Sequence, residues 1–296
     1  MEIPDNIRQC VVFLCEKKVV NGKEIYTPQG TGFFVSVPDN ENQLNFIYLV
    51  TALHNLENEN LDNISVRLNG KDGGRLDYVM KGSKWYTHPS DSDVDVAVIP
   101  FPLGTIEHAH RTVPTSLFLK PENIEKGDVQ VANEAVIVGL FSQHHGKFAN
   151  LPIVRVGNIA LLTTDKNEKV AVKWHNAEID AHLIEARSIG GLSGSPVFFK
   201  EPYFKLTGTG TSLGGGTRLF LAGLIHGHWS VDSAKSDSAD IDASEDQSKI
   251  NTGIAIIIPA EKILEVLMHP ELVAHRNFII EKQKQEGAVT PLKIKE

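Results

Sequence analysis

The feature that most constrains the fold is a long succession of short apolar runs, each bounded by Gly, Asn or Asp residues. Such runs are typical of β-strands. No run alternates with a helical segment in a βαβ pattern, so the chain is predicted to be all-β rather than a parallel α/β sheet. Six runs precede residue 102 and seven follow residue 128, enough for a small barrel in each half. The predicted strands are 10–18, 24–37, 45–52, 64–69, 76–87 and 94–101, then 129–141, 151–163, 169–175, 179–187, 196–207, 218–226 and 252–258.

These runs divide the chain into two β-rich halves, residues 1–105 and 127–258. Residues 106–126, which contain two prolines, are predicted to form the crossover between them. Residues 259–284 have apolar positions at helical spacing after an initial proline, which predicts C-terminal helices, and the polar tail 285–296 is expected to fray.

The interval 230–249 differs from the rest of the second half. It holds six acidic and two basic residues and almost no apolar anchor. Such a composition cannot bury enough apolar surface to order a segment by itself, so it predicts a mobile acidic loop.

Charge and cysteine usage limit the partners and the compartment. The formal net charge of -8 argues against a nucleic-acid backbone or an anionic membrane as partner, and no apolar segment has the length of a membrane span. Cys10 and Cys15 lie too far apart along one predicted strand to form a disulfide with each other. A disulfide-free chain suits a reducing compartment, and the acidic N-terminus does not resemble a secretion signal. We therefore expect a cytoplasmic location.

A glycine-rich turn, Gly190-Gly-Leu-Ser-Gly-Ser-Pro-Val-Phe198, carries the strongest chemical signal. Glycines let the backbone turn sharply and let a substrate approach closely. The turn can direct the N–H groups of Gly191 and Ser193 at one point, as an oxyanion hole requires, with the Ser193 hydroxyl as nucleophile beside it. The alternative is an ordinary turn between two strands.

Two further segments supply the partners that a nucleophilic hydroxyl needs. Val50-Thr-Ala-Leu-His54 ends an apolar run in a histidine, and Asp95 opens another apolar run. A base and an orienting carboxylate would complete a triad. Asp91 and Asp93 compete for the carboxylate role, but only Asp95 is followed directly by an apolar strand that could anchor it.

The three motifs together resemble those of the chymotrypsin/trypsin-like serine peptidases, in the order His54, Asp95, Ser193. The glycine-rich turn is most similar to that of bacterial glutamyl endopeptidases, and Asn251-Thr-Gly-Ile-Ala-Ile-Ile-Ile-Pro259 resembles the last strand of HtrA-type members. The resemblance covers roughly residues 28 to 268. It implies two antiparallel six-stranded β-barrels of trypsin-like fold, a cleft between them, and hydrolysis of peptide bonds in proteins or peptides through an acyl-enzyme, without a cofactor.

The same resemblance suggests which residues select the substrate. Arg187 occupies the position six before the nucleophile, at the base of the primary pocket, and Ser188 the place of a pocket hydroxyl. Gly253 matches an open wall, and His226 and His228 flank another wall. These donors predict a preference for Glu or Asp before the scissile bond. However, the motif ending in His226 is one residue longer than in glutamyl endopeptidases, and a one-residue shift turns a strand side chain to the opposite face.

Other interpretations of the chain are a non-catalytic binding module on the same fold and a switched effector gated by the 230–249 segment or the C-terminal helices. The closely spaced histidines could also suit zinc. Since no pair has a thiolate or a clear third ligand, pocket-lining or exposed histidines are favoured and no metal is expected. The pairs are His108 with His110, His144 with His145, and His226 with His228.

Overall fold

The computed structural model confirms an all-β chain with C-terminal helices. It describes residues 5–57, 61–163, 168–186, 190–202, 204–207, 210–213, 218–232, 236–240 and 249–288. The predicted pocket residues Arg187 and Ser188 lie outside these ranges, as does the tail beyond residue 288.

The first half contains six strands in one antiparallel sheet, in the spatial order β5-β4-β1-β2-β3-β6. Their bounds are β1 Val11–Val20, β2 Lys23–Asp39, β3 Leu44–Thr51, β4 Ile64–Asn69, β5 Arg75–Val79 and β6 Ala97–Pro100. The predicted run 76–87 ends early, at Val79, because Gly82 in the following turn has a φ of 69°, which interrupts an extended strand. The short helices α1 Asp5–Gln9 and α2 His54–Glu57 flank this sheet, with 3₁₀ turns at Leu61–Asn63 and Leu103–Thr105.

The predicted crossover is not an unstructured connection. It contributes β7 Val113–Pro114, which pairs in parallel with β2, followed by a 3₁₀ turn at Thr115–Leu117 and the helix α3 Pro121–Glu125. The hydrogen bond from the Leu119 N–H to the Leu221 carbonyl, 2.8 Å, ties this connection to the second half.

The second half forms a closed six-stranded barrel, because the path β13-β8-β9-β12-β18-β16 returns to β13. The strands of the barrel are β8 Glu134–Gly139, β9 Ile153–Leu161, β12 His182–Glu185, β13 Pro196–Lys200, β16 Leu219–Asp232 and β18 Lys249–Pro259. Two small hairpins accompany it, β10 Val170–Ala171 with β11 Glu178–Ile179, and β14 Phe204–Thr207 with β15 Gly210–Leu213; a 3₁₀ turn at Trp174–Asn176 lies within the first.

Part of the predicted acidic loop is strand. β16 continues to Asp232, β18 begins at Lys249, and β17, Ser236–Asp240, pairs antiparallel with residues 228–232 of β16. β13 covers β16 only as far as Leu224, so the edge beyond is open to another strand. Backbone hydrogen bonds along that edge replace the apolar anchors that the segment lacks. The mobility of the segment stays a prediction.

The buried apolar side chains form three groups, of which the largest joins the two halves. One group lies inside the first sheet, one inside the barrel, and the largest joins both halves to the C-terminal helices. Representative members are Phe34, Leu49 and Leu68 in the first, Ile137, Ile159 and Phe199 in the second, and Val50, Leu140, Leu224 and Ile263 in the third. The cleft between the halves is therefore supported by continuous core on both sides.

The C-terminal helices are α4 Ala260–Leu267 and α5 Pro270–Ala288. As the sequence predicts, Pro259 precedes the first helix, and Pro270 separates the two because it begins the second. The buried Arg276 donates to the Tyr48 hydroxyl at 2.8 Å and to the Leu267 carbonyl at 2.9 Å, which fixes α5 against the first sheet. In the part of the chain that the structure covers, no helix combines the length and the apolarity needed to cross a membrane.

Candidate active site

Strand register brings His54 and Asp95 together. Thr51, the last residue of β3, lies opposite Ala97, the first residue of β6. His54 follows three residues after Thr51 and begins α2, whereas Asp95 lies two residues before Ala97. Both side chains therefore emerge at the same end of neighbouring strands, as the apolar runs that flank them in the sequence require.

Two hydrogen bonds connect these residues. The His54 backbone N–H donates to Asp95 Oδ1 at 2.9 Å, and the His54 Nδ1 lies 2.7 Å from Asp95 Oδ2. Asp91, a competing candidate in the sequence, instead accepts the backbone N–H of Asp93 at 3.0 Å and shapes the turn before the strand. Of the three aspartates, Asp95 is the one that contacts the histidine.

The Asp95 carboxylate is fully buried, and a second imidazole reaches it. His226 Nδ1 lies 2.6 Å from the same Oδ2 atom that contacts His54. Burial disfavours the charged form, but the two histidines outweigh burial and hold the pKa of the Asp95 carboxyl well below its usual range. An ionised carboxylate only accepts hydrogen bonds, so both imidazoles carry their proton on Nδ1.

The glycine-rich turn carries Ser193 to the same place from the second half. It lies between β12 and β13, and the Gly194 N–H donates to the Ile225 carbonyl at 2.8 Å, one residue before His226 on β16. Gly194 has a φ of 79°, and a Cβ atom there would lie 2.2 Å from the Thr31 carbonyl oxygen. Only glycine fits this contact between the two halves.

Polar groups of the first half hold the turn across the cleft. The Ser193 carbonyl accepts hydrogen bonds from the Thr31 N–H and from Asn55 Nδ2, both at 3.0 Å. The Thr31 hydroxyl donates to the Gly191 carbonyl at 2.7 Å. Because Asn55 directly follows His54, this contact ties the Ser193 backbone to the helix that carries the imidazole.

The Ser193 hydroxyl and the outer nitrogen of His54 are not hydrogen-bonded to each other in this structure. Ser193 Oγ lies 3.5 Å from the His226 carbonyl oxygen, a long contact, and His54 Nε2 is buried without a partner among the described residues. An unpartnered buried nitrogen next to the nucleophile turn is an acceptor available to a hydroxyl. Within the described ranges, the N–H groups of Gly191 and Ser193 donate to no other residue.

An aromatic residue that the sequence did not single out closes the site from one side. Trp174 lies with its ring 5.7 Å from that of His226, at 67°, and its Nε1 donates to Glu57 Oε2 at 2.8 Å. Glu57 ends the helix that His54 begins, so Trp174 links the second half to the base of the cleft. No spacing in the sequence indicates this contact, because it joins residues 117 positions apart.

Three of the predicted pocket residues, His226, His228 and Gly253, lie in the described part of the chain. His226 is fully buried beneath Asp95, not at a pocket wall, as expected if the extra residue in its motif shifts the strand by one position. His228 is also buried, two residues further along β16. Gly253 lies in β18 with a φ of 83° and open space where a Cβ would be, and its place in a pocket wall stays a prediction.

The candidate metal ligands in the described part of the chain are His54, Asp95 and His226. Among the residues that the structure describes, His54, Asp95 and His226 are the only group of three or more whose ligand atoms all lie within 4.8 Å of one another. Their N···O distances of 2.6 and 2.7 Å are those of hydrogen bonds, which account for the cluster. His110, in another pair considered from sequence, accepts the Asn69 N–H at Nε2, 2.7 Å, and lies 2.9 Å from the Gln9 carbonyl at Nδ1, so both its nitrogens are engaged.

Comparison with known proteins gives structural similarity only. No protein-family model matches the chain, and no curated protein matches it. Among solved structures, the chain is similar to the active form of the Rv3671c protease from M. tuberculosis, with 15% identity, a TM-score of 0.44, and coverage of 89% of this chain and 82% of that chain. It is also similar to Deg5, with 16% identity, a TM-score of 0.45 and coverage of 88% of both chains. At these values the function has to rest on the geometry of the site itself.

Proposed function

We propose that the protein is a serine endopeptidase with His54, Asp95 and Ser193 as its catalytic triad. The observation that carries the proposal is the buried Asp95 carboxylate, which accepts both the backbone N–H and the Nδ1–H of His54. This arrangement fixes one imidazole tautomer and leaves Nε2 as an acceptor, as a general base requires. Ser193 stands in a glycine turn anchored to the residue after that histidine.

In the proposed reaction, the Ser193 side chain rotates so that its hydroxyl donates a hydrogen bond to His54 Nε2. The oxygen attacks the scissile carbonyl while His54 takes the proton, and His54 then donates it to the leaving amine. Asp95 stabilises the imidazolium that forms between these steps. Water hydrolyses the resulting acyl-enzyme by the same proton path, and no cofactor enters the balance.

The developing oxyanion would be bound by the N–H groups of Gly191 and Ser193. Their lack of partners among the described residues supports this role, and the φ of 93° at Gly191 is a conformation that glycine adopts without strain. Each such donor contributes about 3–4 kcal/mol to transition-state stabilisation in comparable sites.

The test uses two neighbouring serines. Ser193→Ala should lower kcat on peptide substrates by about 10⁶-fold, the loss expected when triad members act as a unit. Ser195→Ala is the matched control, because its buried hydroxyl has no partner among the described residues and its loss should leave activity and folding intact. Parent-like activity of Ser193→Ala would refute the proposal, whereas an inactive but folded parent would favour a binding module.

We also propose an acidic preference before the scissile bond, with Arg187 as its chief residue, supported now by sequence resemblance rather than by His226. Profiling a peptide library with the purified protein measures this preference. Arg187→Ala should weaken selection for Glu and Asp and leave cleavage chemistry unchanged. Cleavage mainly after Lys or Arg, or unchanged selectivity in the variant, would contradict it without affecting the triad assignment.

A further inference from the structure

The Asp95 carboxylate receives hydrogen bonds from two imidazoles, although a triad needs only one. His54 and His226 both direct Nδ1 at Oδ2, at 2.7 and 2.6 Å, and their rings meet edge to face at 5.6 Å. We propose that His226 is a positioning residue that holds the Asp95 carboxylate ionised and oriented toward His54. The proposal rests on the function proposed above and adds a residue to its machinery.

The two histidines differ in access. His226 is completely buried, whereas His54 is slightly exposed and begins a helix at the cleft. Trp174 covers the His226 ring, and His226 Nε2 has no partner among the described residues. Because its ring is completely buried and contacts Trp174, His226 acts through Asp95 and does not touch the reacting atoms.

The charge environment explains why a second donor is needed. Removing water from a carboxylate costs several kcal/mol unless hydrogen bonds replace it. Asp95 is fully buried, and the described donors that replace water are the His54 N–H and the two Nδ1–H groups. Trp174, whose ring contacts that of His226, donates to Glu57, and His175 lies 3.3 Å from the Glu57 carboxylate.

The position of His226 is also fixed independently of Asp95. Ile225, the residue before His226 in β16, accepts a hydrogen bond from the Gly194 N–H at 2.8 Å and donates one to the Ser195 carbonyl at 2.9 Å. Strand β16 thus carries the His226 Nδ1–H that donates to Asp95 Oδ2, and it also holds the backbone of Gly194 and Ser195, which follow the nucleophile. This couples the orientation of the carboxylate to the placement of Ser193.

Substitutions that separate ring shape from hydrogen bonding test the role. His226→Phe keeps the ring but removes the donor, and it should lower kcat about 10- to 100-fold, the loss expected for one hydrogen bond to a charged group, with little change in KM. His226→Asn places an amide N–H near the position of Nδ1 and should restore most of the loss. His182→Phe, which removes a buried histidine whose described contacts are Thr163 and Phe199 rather than a triad residue, is the control for packing damage.

The pH profile of kcat/KM gives a readout that packing alone would not change. Without the second donor, the negative charge of Asp95 is shared with His54 alone, so the His54 imidazolium is stabilised more. The acidic limb should therefore move to higher pH in His226→Phe and return toward the parent in His226→Asn. A Phe variant with the parent's kcat and profile would overturn the proposal, as would an Asn variant as impaired as the Phe variant.

Histidine-labelled protein provides a measurement that does not depend on activity or on a variant that folds. ¹⁵N NMR of the parent at neutral pH should show two imidazoles protonated at Nδ1 with strongly deshielded protons, coupled to one buried carboxylate. Only one such imidazole would overturn the role of His226. If both are present but the parent fails to hydrolyse peptides, the proposed function fails while the hydrogen-bond assignment stands.

Discussion

Asp95→Asn is the most informative single change, because it keeps the size of the side chain and removes its charge. An amide has one acceptor oxygen and one donor nitrogen where the carboxylate has two acceptors. The His54 backbone N–H meets one oxygen, and two imidazole Nδ1–H groups meet the other. In either orientation, the new NH₂ faces a donor, so at least one contact becomes repulsive.

The consequence for catalysis is larger than the loss of one hydrogen bond. Losing one hydrogen bond to a charged group costs about 1.5–3 kcal/mol, but the variant also loses the anion that stabilises the His54 imidazolium, and the wrong tautomer becomes favoured. Removal of the charge from a triad carboxylate lowers kcat by about 10⁴-fold, which is about 5 kcal/mol in activation free energy. We expect a loss of that order here.

The assay is kcat on a peptide substrate at neutral pH, with folding checked by circular dichroism. Asp91→Asn is the matched control, since Asp91 accepts one backbone N–H in a partly buried turn and has no described contact with His54. A folded Asp95→Asn protein within tenfold of the parent would refute the reasoning, and so would an Asp91→Asn protein that loses as much.

Three further predictions concern the turn, the pH dependence of stability and the acidic segment. Gly194→Ala should abolish peptide hydrolysis and lower stability by at least about 1–3 kcal/mol, because its Cβ would meet the Thr31 carbonyl; parent-like denaturant midpoints would contradict this. Burial lowers the pKa of His182 from 6.5 to about 4, so the unfolded state binds the extra proton first. The free energy of unfolding should then fall as pH drops from about 6.5 to 4, by up to about 3 kcal/mol from this group, and His182→Phe should flatten that slope in urea titrations. Asp232 and Lys249 are paired neighbours, so an Asn-Gly turn can replace residues 233–248; this should change KM more than the melting temperature, and the opposite result would show a structural role.

The fold class and the contact between His54 and Asp95 were predictable because the relevant signals are local. Apolar runs ending in His54 and beginning after Asp95 place both residues at strand ends, and the β3–β6 register then brings them together. The glycine-rich turn likewise predicts a close backbone contact, which the structure places between Gly194 and the Thr31 carbonyl.

The contacts that the sequence did not reveal join distant segments. The orientation of His226 depends on register shifts in β16, where Ile225 and Gly227 pair with consecutive residues of β18. Because the motif ending in His226 is one residue longer than in glutamyl endopeptidases, the sequence alone did not decide to which face of the strand the His226 side chain points. Trp174 reaches Glu57 across the cleft from a two-strand hairpin, and no periodicity in either segment encodes that pairing.

The central claim is that Ser193 is a nucleophile activated by this site, and active-site labelling tests it most directly. The folded full-length protein is treated with a fluorophosphonate probe, and the modified peptide is located by mass spectrometry. We predict one adduct, on Ser193, that is absent after Ser193→Ala and retained after Ser195→Ala. A folded protein that takes up no probe, or that carries the adduct on another residue, would contradict the claim.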